Sequence, residues 1–102
     1  MIRFELLLPL FYNDGRPIEP EKFVATDDDL VRHFGATATD TVIVHGKWMY
    51  QSTLYSDKPI RIRVDVTDDA GNRELMRGIK EILKTRFEQV DIWITAHEIE
   101  II

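Results

Sequence analysis

The sequence predicts an α+β domain in two layers, with two helices on one face of a mostly antiparallel sheet. Three observations carry that prediction. Four segments alternate apolar and polar residues with the period of a strand, and two others repeat apolar residues at three- and four-residue spacing. The 102 residues are enough for one core and too few for two, so 1–102 reads as a single domain.

The first strand covers residues 3–11, with Phe4, Leu6, Leu8 and Leu10 on one side and Glu5, Leu7, Pro9 and Phe11 on the other. Pro9 lacks a ladder donor, so pairing is expected to weaken or bulge there. The apolar run at the N-terminus is interrupted by Glu5 and Pro9 and has no small-residue cleavage site, which favours a strand over a signal peptide. Asn13-Asp14-Gly15-Arg16-Pro17 then reads as a turn. Pro20 suits a first helical position, Phe23, Leu30, Val31 and Phe34 share a helical stripe, and Gly35 can close it. Thr26 and Asp29 resemble a second capping pair, which leaves open a break in this helix.

Val42, Val44, Gly46, Trp48 and Tyr50 alternate with Ile43, His45, Lys47 and Met49 and predict the second strand, with a bulge or close approach at Gly46. Residues 52–59 read as a hairpin connection. Ile60, Ile62, Val64 and Val66 alternate with Arg61, Arg63 and Asp65, the clearest strand in the chain. From about residue 72 to 88, Leu75, Met76, Ile79, Ile82, Leu83 and Phe87 mark the second helix. Arg77 with Glu81 and Lys84 with Glu88 are spaced as ion pairs on its outer side, and Gly78 is expected there for close packing. In the last strand Ile92, Ile94 and Ala96 alternate with Trp93, Thr95 and His97, and the phase flips at Glu98, which predicts a bulge or a change of partner near His97.

The order strand, helix, strand, strand, helix, strand is the ferredoxin-like βαββαβ pattern, with an expected spatial strand order of 4-1-3-2. Its open face would show Glu5, Leu7, Phe11, Ile43, His45, Lys47, Met49, Arg61, Arg63, Asp65, Trp93, Thr95 and His97.

Composition narrows the function classes. Hydrophobic residues make up 44% and charged residues 30%, the balance of a globular protein. With no cysteine there is no disulfide framework, thiolate zinc site or cysteine nucleophile. The formal net charge of −5 disfavours long-range attraction to nucleic acid or an anionic membrane. No segment approaches the roughly 20 apolar residues that span a bilayer, so a soluble protein is expected, and the lack of cysteine fits a reducing cytoplasm.

Among chemically able residues, His33, His45 and His97 invite a metal or acid–base role. In the expected order His45 and His97 sit on opposite edge strands, roughly 14 Å apart, with His33 on a helix, so no metal site and no cofactor are expected. Asp27-Asp28-Asp29 read as a solvated or dipole-complementing helix start and not a cation site, because successive residues point in different directions. Lys47, Arg61 and Arg63 beside Trp93 suggest a basic, aromatic platform, but the central strand carries arginines where stacking rings would stand, so cross-strand charge pairing is favoured over nucleic-acid binding.

Across most of its length the chain resembles a family of short bacterial proteins, functionally uncharacterised and mostly of roughly this length. The shared parts are Leu8-Pro9-Leu10 with Asn13-Asp14-Gly15-Arg16-Pro17, Leu30 to Phe34-Gly35, Gly46-Lys47-Trp48, Arg86-Phe87-Glu88-Gln89, Ile92-Trp93-Ile94 and His97-Glu98-Ile99-Glu100. Gly35-Ala36 and Val90-Asp91 depart from that pattern, which has two glycines and an acidic pair there. The resemblance implies a compact domain and adds no activity, substrate or cofactor.

The leading expectation is a noncatalytic domain acting by association: a homodimer, with a protein or small ligand on the open face at His45, Lys47, Arg61, Arg63, Trp93 and His97. Leu7, Phe11, Ile43, Met49 and Trp93 would form the apolar patch that drives it. The alternative is a small-molecule enzyme of the dimeric α+β barrel kind, with His45 or His97 moving a proton.

Overall fold

The computed structural model describes residues 1–40, 46–57 and 59–102, with side chains described for 1–38, 51–52 and 59–102. In chain order the elements are β1 (Ile2–Pro9), α1 (Pro20–Phe34), β2 (Ala38–Asp40), β3 (Gly46–Tyr50), β4 (Thr53–Asp57), β5 (Pro59–Val66), α2 (Ala70–Arg86) and β6 (Trp93–Glu98). Four strands form an antiparallel sheet in the order β2-β5-β1-β6, and β3 with β4 forms a separate two-stranded hairpin.

Alternation along β1 and β5 sets the core. Ile2, Phe4, Leu6 and Leu8 face the same side as Ile62, Val64 and Val66, and all are buried. Leu30 from α1 and Met76, Ile79 and Leu83 from α2 join the same cluster, so the stripes of both helices close on that side of the sheet. Phe87 stacks at a tilt on Phe23, 5.3 Å between ring centres, and Phe4 meets Phe34 at 6.3 Å.

Helix α1 is continuous. Pro20 occupies its first turn, and Gly35 ends it at φ 91°, donating its N–H to Val31 O. Thr26 is not a cap: it is buried mid-helix, its hydroxyl donating back to Lys22 O at 2.8 Å. In α2 the side chain of Asp69 accepts from Asn72 N–H at 2.7 Å, the N-cap that starts the helix. The outer ion pairs differ from those expected. Arg77 pairs with Glu74 and Lys84 with Glu81, while Glu88 lies 3.7 Å from Lys22 of α1. Gly78 does not mark close packing either, because an added Cβ would meet nothing within 4 Å.

The largest difference from expectation lies in the second strand. Residues 38–40 pair with β5, and 46–50 pair with 53–57 across a turn in which Gln51 and Ser52 both have positive φ. Alternation in 46–50 is satisfied by the nearest available partner, the next segment of chain, which costs little loop entropy. Phe11 also leaves the sheet: β1 ends at Pro9, and Phe11 bridges to Pro17 across the turn, where Gly15 adopts φ 91°. At the other end β6 stops at Glu98, so the phase flip marks the end of the strand and not a bulge.

Candidate functional site: the open sheet face

The odd-numbered residues of β1 and β5 and of β6 lie on the side of the sheet away from the core. Register stacks them in three rows: His97, Arg3 and Asp65; then Thr95, Glu5 and Arg63; then Trp93, Leu7 and Arg61. Ala38 and Asp40 of β2 stand opposite Arg63 and Arg61 in the same register.

The first row is held by charge. Arg3 donates from Nε and Nη2 to the two carboxylate oxygens of Asp65 at 2.8 and 3.0 Å, a bidentate fork between directly opposed residues. Those hydrogen bonds hold the Asp65 carboxyl below its usual range and raise Arg3. His97 Nε2 hydrogen-bonds Thr95 Oγ1 at 2.8 Å and lies 3.8 Å from Glu5 Oε2. The third row is different in kind. Trp93 is 64% exposed beside the half-buried Leu7, which places an open indole surface at one end of a charged face.

Four of the six expected site residues therefore share this face: Arg61, Arg63, Trp93 and His97. Lys47 is not in register with them, because its strand pairs in the separate hairpin. His45, and with it Ile43, falls outside the described residues, as does the side chain of Lys47. Of the apolar patch expected on this face, the described residues place Leu7 and Trp93 in register, while Phe11 lies beyond β1 and the strand of Met49 pairs in the hairpin. Arg3 was overlooked by the sequence pattern, although its alternation with Phe4 places it beside Glu5.

Two other polar clusters are structural. Arg86 of α2 reaches α1, donating to Thr26 Oγ1 at 2.9 Å and to Asp29 Oδ2 at 2.7 Å, which lowers the Asp29 carboxyl. Tyr12 donates its hydroxyl to Glu19 and is flanked by Arg16 and Lys22 at 4.6 and 4.8 Å from its ring centre, fastening the segment between β1 and α1. The hydrogen bond raises the Tyr12 phenol and lowers Glu19. The three consecutive aspartates diverge: Asp27 accepts from Thr37, Asp29 binds Arg86 and Arg32, and Asp28 faces solvent. Among the described residues no group of three acidic, histidine or cysteine side chains is placed to hold a metal ion. No described helix is long and apolar enough to cross a membrane.

In fold the chain is a small α+β protein with solved counterparts. It is similar to a phage SAM lyase in complex with S-methyl-5'-thioadenosine, with TM-score 0.72 and 12% identity over 95% of this chain and 80% of that one. It is also similar to the divalent cation tolerance protein Cut A1 from Thermus thermophilus, with TM-score 0.62 and 15% identity over 97% and 84%. A point mutant of CutA1 from Pyrococcus horikoshii matches at TM-score 0.62 with 12% identity, over 100% and 86%. At these identities the likeness shows the fold alone. No family model matches the chain, and no curated protein matches it in sequence.

Proposed function

We propose that this is a ferredoxin-like βαββαβ module of the cytoplasm that works by association, as a homodimer whose open face receives a protein or small ligand. The strand order β2-β5-β1-β6, with α1 and α2 following β1 and β5, supports the ferredoxin-like reading. The family of short bacterial proteins that the sequence resembles fits it in length and compactness.

The observation that carries the functional reading is Trp93. An indole 64% exposed on a sheet face, adjoining Leu7 and in line with Arg61, combines a large apolar surface with nearby charge, the makeup of a recognition spot. The surrounding charges are arranged across the strands, which suits orientation of a partner more than bond making.

A second reading, a small-molecule enzyme, draws on two observations. One is the likeness in fold to a lyase. The other is His97, hydrogen-bonded to Thr95 and 3.8 Å from Glu5, a placement in which an imidazole could exchange a proton.

Complementation of a deletion phenotype separates the two. Leu7→Glu, which charges the open face, should abolish it while the circular dichroism spectrum is kept, and His97→Ala should retain it. An enzyme using His97 would show the reverse, with the histidine variant losing on the order of 10² to 10⁴ in rate.

A further inference from the structure

The sheet has an uncovered edge. Strand β6 closes the order β2-β5-β1-β6, and among the described residues nothing pairs along its outer side. Which atoms lie on that side follows from one hydrogen bond: Ile99 N–H donates to Met1 O at 3.1 Å, so residues 1 and 99 form a hydrogen-bonded pair. Pairs of that kind alternate along an antiparallel ladder. Trp93, Thr95 and His97 therefore turn their backbone groups toward β1, while Ile94, Ala96 and Glu98 turn theirs outward.

Soluble proteins protect such an edge with proline, lysine, a bulge or an inward charge. Between Trp93 and Glu98 the sequence Trp-Ile-Thr-Ala-His-Glu has no proline, lysine or glycine, the strand pairs with β1 without a bulge, and its one charge on the helix-facing side is the terminal Glu98. Beneath the edge, between β6 and α2, lies a cleft of about 190 Å³ whose floor is Phe4, Met76 and Ile94 and whose rim carries Arg73, Arg77 and Lys80. The cleft is basic in a chain of net charge −5. Among the described residues its cations are held in surface ion pairs that contribute little, Arg73 with Asp68, Arg77 with Glu74 and Lys80 with Asp91, and Arg73 also feels the charge of Glu98 at the end of its own β6.

From these features we infer that a second copy of this chain adds to the edge of β6, antiparallel and two-fold symmetric about Ala96, making one continuous eight-stranded sheet. The inference deepens the association reading above by naming where the second copy joins. Ala96 is the smallest side chain of the strand and suits the axis, where two identical residues oppose each other. With Ala96 on the axis, Ile94 stands opposite Glu98 of the second copy, and both have backbone groups turned outward to bond. Glu98 shares the helix-facing side of the strand with Ile94, so its carboxylate arrives at the rim of the cleft, within the field of Arg77 and Lys80. On the other face Trp93 comes opposite Ile99 of the second copy, covering part of the exposed indole, and Thr95 comes opposite His97. An isologous pairing makes every one of these contacts twice.

Light scattering at micromolar concentration, with circular dichroism as the check on folding, tests the pairing. The parent should show twice the 11.9 kDa of one chain. Ala96→Pro removes an outward N–H that no strand among the described residues uses, and should halve the mass with the spectrum unchanged. Glu98→Lys should weaken the dimer at least tenfold, and Glu98→Lys with Arg77→Glu should restore it, which keeps the test decisive if the proline variant fails to fold. A parent of single-chain mass would overturn both this pairing and the homodimer. A doubled mass that survives Ala96→Pro and Glu98→Lys yet is halved by Leu7→Glu would overturn the edge pairing alone and place the dimer on the open face.

Discussion

The two sides of β1 obey different rules. Toward the helices Ile2, Phe4, Leu6 and Leu8 are all buried, and each is held by non-directional contact with many neighbours. Toward the open face Arg3, Glu5 and Leu7 are half-buried, and their arrangement depends on which residue stands opposite: Arg3 on Asp65, Glu5 on Arg63, Leu7 on Arg61. One side specifies the fold and tolerates exchange among apolar residues. The other is set by half-exposed cross-strand pairs of a kind that contributes little to stability.

The sharpest way to break that comparison is to place the same charge on both sides. Ile62→Asp and Ile79→Asp each bury an unpaired carboxylate in the core, and both should unfold the domain, a loss of more than about 4 kcal/mol. Leu7→Asp, beside Leu6 in the same strand, should leave a cooperative melt within a few degrees of the parent. Circular dichroism melts of the three variants decide it, and a stable Ile62→Asp would mean that the buried side has been misassigned.

A smaller effect is expected where the helices meet. Arg86 crosses from α2 to Thr26 and Asp29 of α1, and Thr26 is wholly buried. Arg86→Met keeps the aliphatic stem and removes both hydrogen bonds, at a cost of about 1–2 kcal/mol once partial exposure is allowed for. Urea denaturation would show the loss as a lower midpoint with an unchanged slope. A midpoint equal to that of the parent would make this link ornamental.

How much of this was legible beforehand follows the same division. The period-two pattern of β1 and β5 and the stripe of α2 name the core residues directly, and Gly35 ends α1 as its position implied. What alternation cannot convey is the identity of the neighbour. Residues 46–50 read as a strand whether they pair with β5 or with the next segment of chain, and the strand that does pair with β5, Ala38–Asp40, is only three residues long, with Thr39 between two residues of weak β preference. The open face suffered most from this, since Lys47, Met49 and His45 were placed on it only through that pairing. Arg3 and Asp65 are separated by 62 positions and Arg86 and Asp29 by 57, and no local pattern marks either contact.

The solvent side of α2 offers a gain in place of a loss. Gly78 is exposed in mid-helix, and a methyl group there would meet nothing within 4 Å. Gly78→Ala should therefore stabilise the domain by about 0.5–1 kcal/mol, from helix propensity and the reduced entropy of the unfolded chain. A destabilised variant would show that a neighbour occupies the space beside it.

The finest test compares two carboxylates under acid, one on each side of the sheet. Arg3 lowers Asp65 on the open face, and Arg86 lowers Asp29 where the helices join. A carboxylate with a folded-state pKa below its unfolded value stabilises the fold above that unfolded value, near the ordinary 3.8, and the contribution disappears as pH falls through the lowered native one. The stability gap between the parent and Asp65→Asn, or Asp29→Asn, should thus be constant from neutral pH down to about pH 5 and close toward about pH 2. Salt then separates the sides. At about 1 M the screening length is roughly 3 Å, so the gap of the exposed Asp65 pair should shrink further than that of Asp29, whose partner Arg86 is the more buried of the two arginines. Urea midpoints at each pH and salt concentration measure both gaps. Equal salt sensitivity at the two sites would show that the open face shelters its charges as well as the helix joint does, and the contrast between the two sides would then rest on apolar burial alone.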